Sequence, residues 1–571
     1  MDHSQPQRTP EHLTSWWRDL ALLACLLAVP FLAQIGARSL LLPDEGRYGG
    51  VAYEMLSQRE WVVPTLDGLP FLHKPPLYYW LAAASLSLFG VNEAALRLVP
   101  ALFGIAGCLL VYALARVMFD RRAALWSAGV LAASPLWFLS SQYANMDLQV
   151  AFWIGATLAC LWRAVNAVEP RRAWWVAAAA ACAGAATLTK GLHGIVLPGL
   201  ILVAYLMARR RWRAALELHP VLALVLWAAI AVPWAWLAQQ RVAGFFDYFV
   251  IGQHFGRFLQ TGFNNPQPWW FYLALLPLAL LPWSLLWWHG WRGAHARAPD
   301  AALWLALWAA LTVLFFSIPS SKIVGYILPA ALPLAMFSGV ALARIEKEDH
   351  AFLPALLALA ILSIALLSFA WVVRSDIAPK SLRWIGPEVW WLPAAACAGT
   401  AGTWWFGHTS ARRVLLVAVV AGVALLQTLL LVAARWPQLS TAELARAARP
   451  LLQRDDVVIH DQQFYYDFAF YAWRPQPALV AADWSAPATR DNWFAELRDA
   501  AALAGNVAPQ LIRFDDISAR CLRAPRCWLL TSPQRARNYL SARAAGNAAG
   551  PVWRVVSTTD RAALLTDRPL P

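Results

Sequence analysis

Between the first two long apolar runs lies the segment 41–80, LLPDEGRYGGVAYEMLSQREWVVPTLDGLPFLHKPPLYYW. It sets Asp44, Glu45, Arg47, Glu54, His73 and Lys74 beside sequence that is otherwise apolar for most of residues 1–435. Ionisable groups held at a bilayer are costly, and a dense group of them next to membrane sequence marks a site. The chemistry on offer is specific. Carboxylates among cations orient a nucleophile, act as a base or pair with a substrate amine. Lysine and arginine at a membrane surface suit phosphate.

The same residue types recur in four other short stretches. Gln142, Tyr143, Asn145 and Asp147 precede one apolar run, and Lys190 and His193 sit in TLTKGLHG. Asp247, His254, Arg257, Asn264 and Asn265 lie in 239–268, and Ser320, Ser321, Lys322 and Tyr326 in SIPSSKIVGYILP. Asp44, Asp147 and Glu45 are the candidate catalytic carboxylates. Arg47, Lys74, Arg257, Lys322, Tyr326 and Lys190 are the candidate phosphate or substrate ligands. His73 and His254, with a carboxylate or phosphate oxygen as third ligand, are candidates for a divalent metal, zinc or magnesium. Plainer readings stand beside these: Asp44–Arg47 as a helix-capping ion pair, Asp147 as a helix cap, and Lys190 as a lysine snorkelling to the interface. No nucleotide cofactor is expected, because no glycine-rich phosphate loop precedes a helix.

The elements that position these residues are membrane helices. The chain has 571 residues, 60% hydrophobic and 14% charged. Apolar runs near 18–38, 97–117, 123–141, 147–166, 173–189, 192–208, 217–238, 269–289, 301–318, 323–343, 351–373, 389–406 and 414–434 each approach the length of about 20 residues that spans a bilayer. Basic clusters fall on alternate connections: Arg116 with Arg121 and Arg122; Arg163 with Arg171 and Arg172; Arg209 to Arg213; Arg292 with Arg297; Arg344 with Lys347; Arg412 with Arg413. The positive-inside rule places them in the cytoplasm with the N-terminus, and an odd number of spans sends the C-terminal tail outside. Every polar group named above then lies on the external side. The net charge of +14 would point to nucleic acid in a soluble protein, but here the cytoplasmic loops account for much of it, and no nucleic-acid partner is expected. The first apolar run is read as a retained helix, since no small-residue cleavage site follows it. A transporter is disfavoured: its polar residues belong at mid-depth, and no internal repeat is visible.

Two domains are expected: a transmembrane domain, 1–435, with large external loops at 39–96 and 239–268, and an external domain, 436–571. In the latter, strand-like runs at 457–460, 527–530 and 552–556 alternate with helical patterns at 494–504 and 533–544, the signature of a small α/β unit. Cys521 and Cys527 fall there, where a disulfide can persist, although spacing alone does not fix one.

With these motifs in hand, the chain resembles the bacterial lipid A aminoarabinose transferase family, within the GT-C, protein mannosyltransferase-like glycosyltransferases. DEGRY, the following EM, and HKP match that family's first external loop, and LFGVNEAALRLVPALFG, NMDLQ, LTKG, HFGRF, PQPWWFY and SKIVGYILP follow in its order. The resemblance covers most of residues 40–345 and is thin beyond about 350. It implies a polytopic α-helical GT-C fold with about 13 transmembrane helices and a small periplasmic α/β domain. It implies Asp44 and Asp147 as the required carboxylates, Lys74, Arg257 and Tyr326 on the carrier-phosphate side, and His254 as a metal ligand. His73 stands where the family has a glutamate, and Gly46 with Gly49–Gly50 makes a glycine-rich stretch read as more flexible than usual. The implied activity is transfer of a sugar, in the first instance an amino sugar, from undecaprenyl phosphate to a lipid A phosphate at the inner membrane by a monomeric enzyme. Such a change would lower surface negative charge and weaken binding of cationic peptides such as polymyxin. The alternative is a polyprenyl-phosphate-sugar transferase acting on protein, O-antigen or core oligosaccharide.

Overall fold

The computed structural model describes residues 10–256, 265–348, 352–375, 385–406, 410–435, 440–486, 495–505, 508–544 and 551–569. Each apolar run is occupied by a helix or a bent helix pair. Among the described residues, seven helices are long and apolar enough to cross a membrane, or up to nine if each bent pair is one span. The bends have a local cause. Arg121–Ala132 and Pro135–Ser141 meet at 62°, and Phe271–Ala279 and Trp283–Arg297 at 100°, each with a proline at the break that cannot donate the next helical hydrogen bond.

We number the helices that bear on the site: α1 Pro10–Leu32, α2 Asp44–Gln58, α3 Leu77–Phe89, α4 Glu93–Met118, α5 Arg121–Ala132, α6 Pro135–Ser141, α7 Asp147–Val165 and α8 Arg171–Lys190. Caps set where several begin. Asn92 accepts from the Ala95 N–H at 2.9 Å and Asp120 from the Ala123 N–H at 2.8 Å. α8 buries Ala179, Ala180, Ala183, Gly184 and Ala186, small side chains of the kind that let membrane helices approach closely. It packs along α7, which brings the C-terminal Lys190 of one to the N-terminal Asp147 of the other.

The segment 41–80 is not the extended polar loop its composition suggests. It folds as α2, a short hairpin of β1 (Thr65–Leu66) and β2 (Leu69–Pro70), and the start of α3. Asp44 and Glu45 in the first turn of α2 complement the helix dipole, and Val51, Ala52 and Met55 form its buried stripe. Asp67 and Gly68 adopt φ of 56° and 73°, the two left-handed residues that a two-residue hairpin turn demands. The glycine-rich stretch is packed rather than loose. A Cβ on Gly46 would lie 3.1 Å from the backbone nitrogen of Asp467, and one on Gly50 3.3 Å from the Tyr466 carbonyl. These glycines admit the C-terminal part of the chain against α2.

That part carries a six-stranded sheet: β3 (Val457–Asp461), β4 (Leu479–Ala481), β5 (Leu511–Ile512), β6 (Cys527–Thr531), β7 (Arg554–Thr558) and β8 (Ala563–Thr566), in the order β5-β4-β3-β6-β8-β7. The first four in that order run parallel, with Val458 opposite Trp528, and β8 and β7 are antiparallel, with Leu530 opposite Leu564. β6 is buried along its whole length, as a central strand covered on both faces must be. Helices occupy Ala495–Leu503 and Pro533–Ala544, close to the expected positions. Cys521 and Cys527 form a disulfide, with Cα atoms 5.1 Å apart. One apolar core joins Val51, Met55, Tyr78 and Tyr79 to Tyr466, Phe468, Phe470 and Trp528, so the sheet unit sits directly on α2 and α3.

Candidate active site

Asp44 and Asp147 each occupy the first turn of a helix, α2 and α7. Asp44 pairs with Arg47 through one oxygen, and its other oxygen accepts from the Tyr143 hydroxyl at 3.3 Å. Arg47 also pairs with Glu496, which reaches the site from the helix Ala495–Leu503, and its guanidinium lies 5.4 Å from the Tyr48 ring and 5.8 Å from the Tyr466 ring. Asp147 pairs with Lys190, whose ammonium lies 4.4 Å from the centre of the Tyr326 ring. Gly325 leaves room for the Asp147 carboxylate, which an added Cβ would overlap. Tyr48 joins the two halves. It is buried, its ring meets Tyr78 at 6.0 Å, and the fields of Asp44, Glu496 and Tyr326 all act on it. Burial, the largest influence, pushes the Tyr48 hydroxyl well above its ordinary range, so it stays a neutral hydrogen-bonding group.

Two further candidate cations, Lys322 and Lys74, come from other segments. The Lys322 ammonium donates to the carbonyls of Gln267 at 3.0 Å and Pro319 at 2.5 Å, which engages two of its three donors. Lys74 is half-buried at the end of the hairpin segment, beside His73. His73 is buried, stacks on Phe71 at 4.8 Å, and shares a hydrogen bond of 2.8 Å between its Nε2 and the Tyr248 hydroxyl. Tyr248 belongs to the π-helix Asp247–Gly256, so the segment after residue 239 folds over the first one. In the preceding helix, Pro220–Arg241, Trp234 Nε1 donates to the Val62 carbonyl at 2.8 Å and holds that helix to the same segment.

Three expected roles change. Glu45 is not a free carboxylate. It is fully buried; Oε1 accepts from Arg97 Nε at 2.7 Å and the Ala144 N–H at 2.8 Å, while Oε2 accepts from Arg38, Arg97 and the Leu41 N–H, each at 2.8 Å. Burial works to raise its pKa, but Arg97 and Arg38 outweigh that and hold it at about 2. With every lone pair engaged, it serves as the knot that ties α2, α4 and the Gln142–Ala144 turn together. Arg47 is matched by two carboxylates, which removes it from the set of open phosphate ligands. Lys190 is matched by Asp147 and is not snorkelling. Its side chain and that of Asp147 are each only 9% exposed.

Arg257 and Asn264 lie outside the described residues, as does the side chain of His254. Among the described residues no group of three or more histidines, cysteines or carboxylates converges on a possible metal. The His73 nitrogen facing Tyr248 is engaged by a hydroxyl. Sequence reading missed Arg97, Glu496 and Tyr248. Arg97 donates all five of its N–H groups, to Glu45 and to the Ile35, Arg38 and Ser39 carbonyls, yet in sequence it resembles a charge flanking a span.

Four similarities bear on this arrangement. Residues 73–236 match the family described as dolichyl-phosphate-mannose-protein mannosyltransferase. The undecaprenyl phosphate-alpha-4-amino-4-deoxy-L-arabinose arabinosyl transferase of Pseudomonas paraeruginosa is 35% identical over 358 residues, 61% of this chain and 65% of the relative. The enzyme of the same name from Pseudomonas aeruginosa is 35% identical over 328 residues, 57% of this chain and 59% of the relative. The chain thus spans a little under two thirds of the length of the curated relatives it matches. The fold comparison extends further. The crystal structure of ArnT from Cupriavidus metallidurans bound to undecaprenyl phosphate superposes with a TM-score of 0.82 at 26% identity, over 97% of this chain and 98% of that one. The chain shares the helical fold of that ArnT along nearly its whole length. With seven to nine candidate membrane helices among the described residues, it is a multi-pass membrane protein of ArnT-like helical fold, and that likeness extends past residue 350, where sequence motifs alone became thin.

Proposed function

We propose that the chain is a glycosyltransferase that moves 4-amino-4-deoxy-L-arabinose, or a related amino sugar, from undecaprenyl phosphate to a phosphate of lipid A. The observation that carries this reading is the near-complete superposition on ArnT bound to undecaprenyl phosphate. The reading places about thirteen spans in the inner membrane, the N-terminus in the cytoplasm, and residues 436–571 in the periplasm as a separate domain of a monomer. The Cys521–Cys527 disulfide supports an oxidising compartment for that end.

In this scheme the bond between the anomeric carbon and the carrier-phosphate oxygen breaks, and the electron pair leaves with the phosphate. Lys74, Lys322 and Arg257 stabilise that charge as it develops, a preorganised electrostatic effect. A lipid A phosphate oxygen forms the new bond to the anomeric carbon. That phosphate is already anionic near neutral pH, so no proton has to be removed. Asp44 and Asp147 position the sugar and pair with its ammonium, while Arg47, Glu496 and Lys190 hold the two carboxylates in place. No step draws on a metal. The match to the protein mannosyltransferase description favours one second reading, transfer to a hydroxyl of a protein or surface glycan, in which Asp44 or Asp147 takes a proton. Purified chain, supplied with undecaprenyl-phosphate aminoarabinose and lipid A, is expected to add the amino-sugar mass to lipid A. Transfer only to a hydroxyl acceptor would favour the second reading, and transfer to neither would refute both.

A further inference from the structure

A second group of cations lies away from the carboxylates just described. A cavity of about 360 Å³ opens beside the start of β3, lined by Asp456, Arg474, Arg520, Arg523 and Pro525 among others. Arg474 is buried to 8% exposure. Its terminal nitrogens donate to the Gln453 and Asp456 carbonyls, but its Nε, also buried, has no partner. A buried guanidinium donor left unmatched is costly unless something else engages it. Burial, the largest influence, works against the Arg474 charge, and the carboxylates of Asp456 and Asp67 only partly offset it. Arg520 and Arg523 lie on the exposed side of the helix Asp516–Arg523.

Asp456 does not neutralise the group. Its Oδ2 accepts from the Trp528 indole N–H at 2.8 Å and from the Gln453 N–H at 2.9 Å, which commits that oxygen to structural bonds. The lining sets three guanidiniums against one carboxylate, Asp456, with Asp67 acting on Arg474 from outside it, so positive charge is in excess, and a phosphate monoester carries about −1.5 to −2. The wall is also fixed in place. The Cys521–Cys527 disulfide closes a six-residue step that includes Arg523, Ala524 and Pro525, three of the lining residues. That cross-link holds the arginine-bearing helix against β6, the neighbour of β3.

We propose that this cavity binds a phosphate monoester group, through Arg474 at its base and Arg520 and Arg523 at its rim. The planar, five-donor guanidinium is the side chain best suited to that geometry. The same chemistry is offered by a soluble sugar phosphate and by a phosphorylated lipid headgroup. The test uses the full-length protein in detergent, with inorganic phosphate titrated calorimetrically. A Lys74→Gln background weakens the carrier-phosphate site proposed above, so binding that remains reports the second cavity even if that functional reading fails. In this background phosphate is expected to bind, and adding Arg520→Gln and Arg523→Gln, both exposed, should weaken it at least about tenfold. Competition then identifies the source. Displacement by glucose 1-phosphate supports a soluble ligand, and displacement only by nanodiscs containing phosphatidic acid supports a lipid-borne one. No phosphate binding in the Lys74→Gln protein, or binding that the arginine pair changes by less than about twofold, would overturn the proposal.

Discussion

Asp147→Asn is expected to lower the transfer rate by about 10²- to 10³-fold, the usual cost of removing one preorganised charged group from a transition-state site. The same change also strips Lys190 of its partner, and a buried cation left alone costs about 3–5 kcal/mol of stability. These two effects separate in a second variant. Asp147→Asn combined with Lys190→Met removes both charges, so the stray ammonium is gone and stability returns towards wild type. Transfer should stay depressed, because the carboxylate is still missing. Kinetics and thermal unfolding on both variants decide the matter. Recovery of activity in the double variant would mean that Asp147 serves only to neutralise Lys190.

Glu45→Gln should behave in the opposite way, as a folding defect. Neutralising this carboxylate leaves Arg97 and Arg38 buried without their counter-charge, at a cost of about 3–5 kcal/mol. The expected result is a sharp loss of folded protein in the membrane, with near-normal specific activity in whatever fraction folds. A well-folded Glu45→Gln enzyme with a large drop in specific activity would restore Glu45 to the catalytic set. The contrast with Asp44, one residue earlier, lies in surroundings. Asp44's side chain is 31% exposed and bonded at its edges, whereas Glu45's is sealed.

Much of this was legible in the chain. Apolar runs are long-range signals that survive any detail of packing, and all of them became helices. That Asp44, His73, Lys74, Asp147 and Lys322 mark a site is likewise a reading of the sequence, because charge near a membrane has few innocent explanations. What failed to show were partnerships. Arg97 and Glu45 each look functional or incidental until the eight bonds between and around them are seen. Glu496 is an ordinary acid in an amphipathic helix, some 450 residues from the arginine it pairs with, and no local pattern could link them. The strands Leu479–Ala481 and Leu511–Ile512 are too short to display a period of two. The glycines of α2 read as flexibility because sequence shows a missing side chain but not the backbone of Tyr466 and Asp467 that fills the space.

The most direct test is the mass spectrum of lipid A from three matched strains: gene deleted, wild type restored, and Asp44→Ala restored with the protein shown to be in the membrane. The account predicts a phosphate-linked amino-sugar mass that vanishes on deletion, returns with wild type and stays absent with Asp44→Ala. Lipid A that is unchanged by deletion, while the gene is expressed, would contradict it.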